Sequence, residues 1–97
     1  MTDAESLRHS VVEWARSTFG TKRTIEQFFA AALKLVDEAR ELAGNPLSAE
    51  EMADVQIVLW HIAGDAGVDL LDAVEAKMRV IRSRDWAHVG NGVYQHK

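Results

Sequence analysis

The segment from Val55 to Ala63 carries Val55, Ile57, Val58, Leu59, Trp60, Ile62 and Ala63, so a helix drawn through it is apolar on nearly every side. A helix that is hydrophobic all round is buried all round. The chain has 97 residues, which suits one domain with one core. In so short a chain, three further helices can scarcely surround a fourth. The segment therefore predicts packing against a second copy, a homo-oligomer with this helix at the interface.

The rest of the chain supplies the other helices. Leu7, Val11, Trp14, Ala15 and Thr18 fall at helical spacing and predict a helix over about 4–18, stopped by Gly20. Thr24 followed by Gln27 matches a capping box, and the stripe Phe28, Ala32, Leu35, Val36, Ala39, Leu42 and Ala43 extends a second helix over about 25–43. Gly44, Asn45 and Pro46 end it, because proline cannot continue a helix. Ser48 opens a third helix, about 49–66, and Asp69 caps a fourth, about 70–86, that carries Leu70, Leu71, Val74, Met78 and Ile81. Residues 87–97 read as a turn-like tail whose clearest signal is Asn91-Gly92, either frayed or folded over the site as a lid. Four helices, short loops and almost no strand pattern predict an all-α four-helix bundle, a single domain over 1–97.

Composition narrows the function classes. With 47% hydrophobic and 27% charged residues the chain is an ordinary globular sequence, not a disordered one. No run approaches the roughly 18 apolar residues that span a bilayer, and MTDAESLRH lacks the basic and apolar regions of a signal peptide. The expectation is a cytoplasmic protein without a membrane partner. With no cysteine, disulfides, thiolate catalysis and cysteine-ligated zinc are all excluded. A net charge of −4 argues against a nucleic-acid polymer as partner, since a phosphate-tracking surface needs a basic stripe. A nucleotide whose phosphates are met by a metal remains compatible with that charge.

The chemistry-bearing feature is a pair of pairs. Glu38 and Glu41 precede the Pro46 break, and Glu51 and Asp54 follow it. Residues three apart on a helix share a face, and a tight turn brings the two faces side by side. Four converging carboxylates repel unless a cation sits among them, and an all-oxygen site suits Mg²⁺, Mn²⁺ or Ca²⁺ rather than zinc. Each member has a plainer reading. Glu51 also completes a capping box with Ser48; Glu38 and Glu41 alone describe a solvated face with Lys34 and Arg40 as charge partners. His61 lies seven residues beyond Asp54, roughly 10 Å along the axis, too far to share one ion. It reads as a structural or interface residue, with substrate contact as the other reading. Asp65 either compensates the end of its helix or pairs with a cation of another subunit. The aromatics Trp14, Phe19, Phe28, Phe29 and Trp60 read first as core; of these, Trp14 and Phe19 flank the first loop and are the candidates to touch a nucleobase.

The run Lys34-Leu35-Val36-Asp37-Glu38-Ala39-Arg40-Glu41-Leu42, then Glu50-Glu51-Met52-Ala53-Asp54-Val55, then Lys77-Met78 leading to Arg84 and Trp86, resembles the MazG-like all-α nucleoside triphosphate pyrophosphohydrolases. The opening Val12-Glu13-Trp14-Ala15-Arg16 with Thr18-Phe19-Gly20 is similar to the start of the short phage and bacterial members, and the likeness spans roughly 7–86. The resemblance implies a helical protomer that forms a homodimer or homotetramer. It implies hydrolysis of a (deoxy)nucleoside triphosphate to monophosphate and pyrophosphate with Mg²⁺, Mn²⁺ being a possible substitute. It places the metal on Glu38, Glu41, Glu51 and Asp54, with Glu38 or Glu41 as general base, and the phosphates on Lys77 and Arg84, seven residues apart on one face of the last helix. Its biological meaning would be clean-up of the nucleotide pool. Two features depart from the family pattern: Ile81 stands where an asparagine often follows the lysine, and the connection 42–50 is short. The first leaves substrate identity open and keeps two other readings in view, a non-catalytic helical oligomerisation module and a nucleotide sensor.

Overall fold

Each helix begins where a short polar side chain can accept a hydrogen bond from an orphan backbone N–H. In a computed structural model describing residues 3–97, Asp3, Thr24, Ser48 and Asp69 cap α1 (Ala4–Phe19), α2 (Ile25–Gly44), α3 (Ala49–Ala66) and α4 (Leu70–Arg82). At Thr24 the capping box is complete in both directions. The third helix closes on Gly67, whose φ of 70° is the left-handed conformation that glycine adopts without steric cost. The four helices have the order and, within a residue or two, the bounds that the sequence predicts, except at the last.

There the expectation of a helix to about residue 86 fails. Ser83 ends α4 by turning its hydroxyl onto the Val80 carbonyl at 2.7 Å, and the Trp86 indole N–H donates to the Ile81 carbonyl at 3.0 Å. Arg84 therefore lies beyond the helix, and its presumed helical register with Lys77 does not exist. The following residues are not a frayed tail. They form an antiparallel hairpin, β1 (Trp86–Gly90) and β2 (Val93–His96), in register from Trp86 opposite His96 to His88 opposite Tyr94, with an irregularity before Gly90. Asn91 and Gly92 at its tip have φ of 51° and 74°, the paired positive values that a two-residue hairpin turn demands. The hairpin adds a small two-stranded element to an otherwise all-helical protein.

Packing centres on α3, which lies against α2 on one side and α1 on the other, whereas α4 makes no comparable packing. Small side chains dominate the interior: Val12 and Ala15 of α1, Ala31 of α2 and Ala63 of α3 are the buried apolar residues among those described. Much larger apolar groups stay in solvent, including Phe19, Phe29, Leu71, Val74 and Val80. The radius of gyration is 15.6 Å, against about 12.5 Å expected for a self-sufficient domain of this length.

One contact sets the α1–α3 approach. A Cβ built on Gly64 would lie 2.6 Å from Cγ1 and 3.0 Å from Cγ2 of Val12, and that stiff β-branched side chain is itself buried. Gly64→Ala must push the helices apart, so we expect a loss of about 1–3 kcal/mol in urea unfolding, as for other overpacked interiors. Gly64→Ala combined with Val12→Ala should recover part of it, because the clash is with those two methyls.

Candidate active site

The Asn45-Pro46 break folds the end of α2 beside the start of α3 and brings the four predicted carboxylates together. Glu38, Glu41, Glu51 and Asp54 each offer one oxygen, and these oxygens all lie within 4.8 Å of one another. Glu38 is buried, Glu51 half-buried, and Glu41 and Asp54 exposed. The competing reading of Glu51 is half met. The Ser48 hydroxyl accepts from the Glu51 backbone N–H at 3.2 Å, but Ser48 N–H donates to the Asn45 carbonyl instead of to the Glu51 carboxylate. That carboxylate is free to face its neighbours, and its Oε2 is buried without a hydrogen-bond partner.

Lys34 and Arg40 were the expected charge partners on α2. Lys34 fulfils the role, its Nζ lying 2.9 Å from Glu38 Oε1, while Arg40 pairs with Asp37 at 3.6 Å. The Lys34 hydrogen bond holds the Glu38 carboxyl below its ordinary pKa. Glu41 moves the other way: its hydrogen bond with Glu38 and then the Glu38 charge raise it, with Glu51 adding to the repulsion. A single lysine thus leaves the cluster underneutralised. An unpartnered buried carboxylate oxygen, mutual repulsion and an all-oxygen donor set together fit a hard divalent cation.

Beside the cluster lies a cavity of about 460 Å³ walled by three helices and the loop between α1 and α2. Phe19, Ala30, Ala31, Ile57 and Val58 make it mainly apolar, and Lys22, Gln27, His61 and Lys34 give it polar edges. Lys34 belongs to both places, since it lines the cavity and pairs with Glu38. Among the aromatic candidates, Phe19 borders this cavity while Trp14 stands behind it, edge-on to Phe19 at 5.4 Å. Both are mostly exposed, so the reading of Trp14 and Phe19 as core is not what the fold shows. Lys77 is exposed on α4, Arg84 is half-buried after it, and among the described residues neither side chain forms a hydrogen bond or ion pair with the cluster or lines the cavity. Lys22 and the cavity role of Lys34 were not foreseen; the apolar run Phe28–Leu33, with three alanines in the middle, was the available sign of a hollow.

The inner end of the cavity is an ion network. The Asp65 side chain is fully enclosed and accepts from Arg16 Nε at 2.8 Å and from the Lys22 backbone N–H at 2.9 Å. His61 Nε2 lies 3.1 Å from Asp65 Oδ2, and Lys22 Nζ lies 2.9 Å from His61 Nδ1. Lys22 Nζ also lies 3.2 Å from Nε2, but an ammonium group can only donate and a carboxylate only accept, so the tautomer that serves both has Nε2–H donating to Asp65 and Nδ1 accepting from the lysine. The cations that Asp65 meets are those of its own chain, not of another subunit.

Burial, and then the Lys22 charge, push His61 below its ordinary value of 6.5, outweighing Asp65. For Asp65, burial works upward but is overcome by the Lys22 amide, the Arg16 guanidinium and the nearby charges, so its carboxyl lies below its ordinary range. Between the folded His61 value and 6.5 the unfolded chain binds more protons, so stability is complete above about pH 6.5 and falls below it. Asp65 adds a second loss further into acid, as the pH falls through its depressed value. Melting curves between pH 7.5 and 5.5 should show a descending Tm below about 6.5, and His61→Gln should flatten that limb.

The sequence profile of the dATP/dGTP pyrophosphohydrolase family matches residues 7–96, almost the whole chain. The chain belongs to the dATP/dGTP pyrophosphohydrolase family. A relative named dATP/dGTP diphosphohydrolase from Salmonella phage PMBT28 is 43% identical over 84 residues, which is 86% of this chain and 28% of that protein. One of the same name from cyanophage S-2L is 40% identical over 68 residues, covering 65% of this chain and 62% of that one. The chain thus spans about a quarter to three-fifths of the length of these relatives. Among solved structures, a cyanophage S-2L MazG-like pyrophosphohydrolase bound to dGDP and three catalytic Mn²⁺ ions per active site superimposes with a TM-score of 0.80 at 28% identity, over 100% of this chain and 99% of that one. The carboxylates, the cavity and the hairpin all fall inside the segment matched by the dATP/dGTP pyrophosphohydrolase profile. No helix among the described residues is long and apolar enough to cross a membrane.

Proposed function

We propose that the chain hydrolyses dATP and dGTP to the deoxynucleoside monophosphate and pyrophosphate with Mg²⁺, or Mn²⁺ in its place. The observation that carries this reading is the four-carboxylate cluster, whose orphaned Glu51 oxygen and mutual repulsion await a cation, set beside an apolar cavity of nucleoside dimensions. The family profile and the dGDP- and Mn²⁺-bound relative support it.

Glu38, Glu41, Glu51 and Asp54 would hold the divalent ions. Such ions supply positive charge to triphosphate oxygens and acidify water at neutral pH. The chain's own groups do the rest. Glu41, exposed and without an ion partner, takes the proton of the attacking water; Glu38, paired with Lys34, stays ionised. Water adds in line at the α-phosphorus, the bond to the bridging oxygen breaks, and pyrophosphate leaves with the electron pair. Lys34, which pairs with Glu38 and also lines the cavity, would meet the phosphates from the cavity side.

Lys77 and Arg84 remain our proposed phosphate contacts. Neither is tied to the cluster of its own chain, so a second copy would bring them there. Oligomerisation is supported by the all-round apolar α3, by the uncovered Leu71, Val74 and Val80 of α4, and by the large radius of gyration. Sedimentation at micromolar concentration should give a dimer or tetramer; a monomer would refute this part. The biological role we infer is removal of purine deoxynucleotides from the pool.

The activity is tested by pyrophosphate release from the four deoxynucleoside triphosphates with Mg²⁺, Mn²⁺ or EDTA. Metal-dependent release from dATP and dGTP is expected. Nucleotide binding without release would make the chain a sensor, and neither binding nor release would make it an interaction module.

A further inference from the structure

We propose that Lys22 is the purine-reading residue of the cavity, donating from its ammonium group to N7 of the base. The proposal deepens the pyrophosphohydrolase reading and rests on it for the identity of the ligand as a purine deoxynucleotide.

The argument starts from a contradiction in the substrate pair. Adenine presents an amino donor at its 6-position where guanine presents a carbonyl acceptor. A pocket that takes both cannot be built around that position. The feature the two share on that edge is N7, an acceptor in each. The cavity should therefore carry a fixed donor that has no acceptor alternative. Gln27 does not meet this need, since an amide can offer either polarity and its oxygen is engaged by the Thr24 N–H at 3.1 Å in the capping box. His61 does not either, because its Nε2–H faces Asp65 and its Nδ1 faces Lys22. Lys22 does. An ammonium group donates only, and it has three hydrogens.

His61 takes up one side of the amine, with Nδ1 at 2.9 Å and Nε2 at 3.2 Å, while Asp65 Oδ2 at 3.6 Å is a charge partner beyond hydrogen-bond reach. The hydrogens that do not face the His61 ring are left for the cavity that Lys22 lines. The side chain is only 16% exposed, so a donor aimed at a bound base there is shielded from water. Its position is also fixed from both ends: the backbone N–H of Lys22 is held by Asp65 at 2.9 Å, and the amine by His61. A lysine is otherwise among the most mobile of side chains, and this one is arranged to lose little entropy on binding. Phe19 on the open side offers an aromatic face within the same cavity. In guanine, O6 sits beside N7 and gives the ammonium a second acceptor, whereas adenine places an amino group there. The same geometry thus accepts both bases and favours guanine.

The test reads binding rather than turnover, so it stands apart from the hydrolase assay. Calorimetry with dGMP and with its 7-deaza analogue, in which a C–H replaces N7, isolates one acceptor. On the unaltered chain we expect the analogue to bind about ten- to a hundredfold more weakly, the range for a hydrogen bond from a charged donor. In Lys22→Met the two ligands should bind equally, both at the weakened level, and Lys22→Arg should restore part of the difference. Equal binding of the two ligands to the unaltered chain overturns the proposal whether or not the variants fold, as does absence of binding by either. N7-dependent binding without pyrophosphate release from dGTP would sustain Lys22 and overturn the hydrolase instead.

Discussion

Turnover should fall by about a thousandfold or more when Glu38 becomes Gln or Asp54 becomes Asn, because each change removes a charged oxygen from a site asked to supply several kcal/mol of charge stabilisation, at about 1.4 kcal/mol per tenfold in rate. A loss of activity alone is ambiguous, so the thermal response of the metal-free protein matters as much. In EDTA the wild-type carboxylates repel one another within 4.8 Å. Removing a charge relieves that repulsion, and Glu41→Gln, which breaks no ion pair, should raise the Tm in EDTA while abolishing turnover. The wild type should gain Tm on adding Mg²⁺ or Mn²⁺, and the variants should lose that gain. A Glu38→Gln protein with wild-type turnover would remove the cluster from the mechanism.

How much of this was legible beforehand varies with the kind of signal. The helices were, because caps and breaks are local: Thr24, Ser48 and Asp69 each accept from the backbone N–H three residues on. The end of α4 was not, because it is set by Ser83 and by the Trp86 indole reaching back to Ile81. Helical periodicity carries Ile81 onward without registering either. The hairpin does carry a local signal in the sequence. Asn91-Gly92 between Ala87-His88-Val89 and Val93-Tyr94-Gln95 is the composition of a two-residue β-turn with flanking strands. Eleven residues with no further strand to pair with make a lone hairpin, which is marginal on its own and so does not stand out from a turn-like tail.

At the site, spacing located the four carboxylates because i and i+3 geometry and one proline break suffice to bring them together. It could not tell whether the Glu51 carboxylate is tied up in a capping box. That depends on where the Ser48 N–H goes, and it goes to Asn45, which leaves the carboxylate without this partner. The cavity was illegible for a different reason: it is a missing volume, made by Ala30 and Ala31 opposite Ile57 and Val58, and absence of side chain leaves no positive mark in a sequence. The Arg16–Lys22–His61–Asp65 network spans 49 residues of chain, and pairings that distant are set by the packing of α1 on α3.

That network carries the largest expected effect on stability. Asp65→Ala should destabilise the protein by about 3–5 kcal/mol, the usual consequence of leaving cations without their buried partner. The side chain is fully enclosed, and it is shared by Arg16 at the end of α1, Lys22 in the loop and His61 one turn back on α3. Its loss strands the Lys22 amide and ammonium group together and unties the loop from both helices. Against a total of about 5–15 kcal/mol for a domain of this kind, that is enough to leave a large part of the chain unfolded at moderate temperature. Urea unfolding at one fixed protein concentration is the measurement, since assembly would otherwise move the midpoint. Asp65→Asn keeps the shape and one acceptor but not the charge, so it should fall between Ala and the wild type. A value for Asp65→Ala within about 1 kcal/mol of wild type would mean that Arg16 and Lys22 find solvent as readily as they find Asp65. The loop would then not be held by charge, and the rigid placement of Lys22 in the cavity would lose its structural basis.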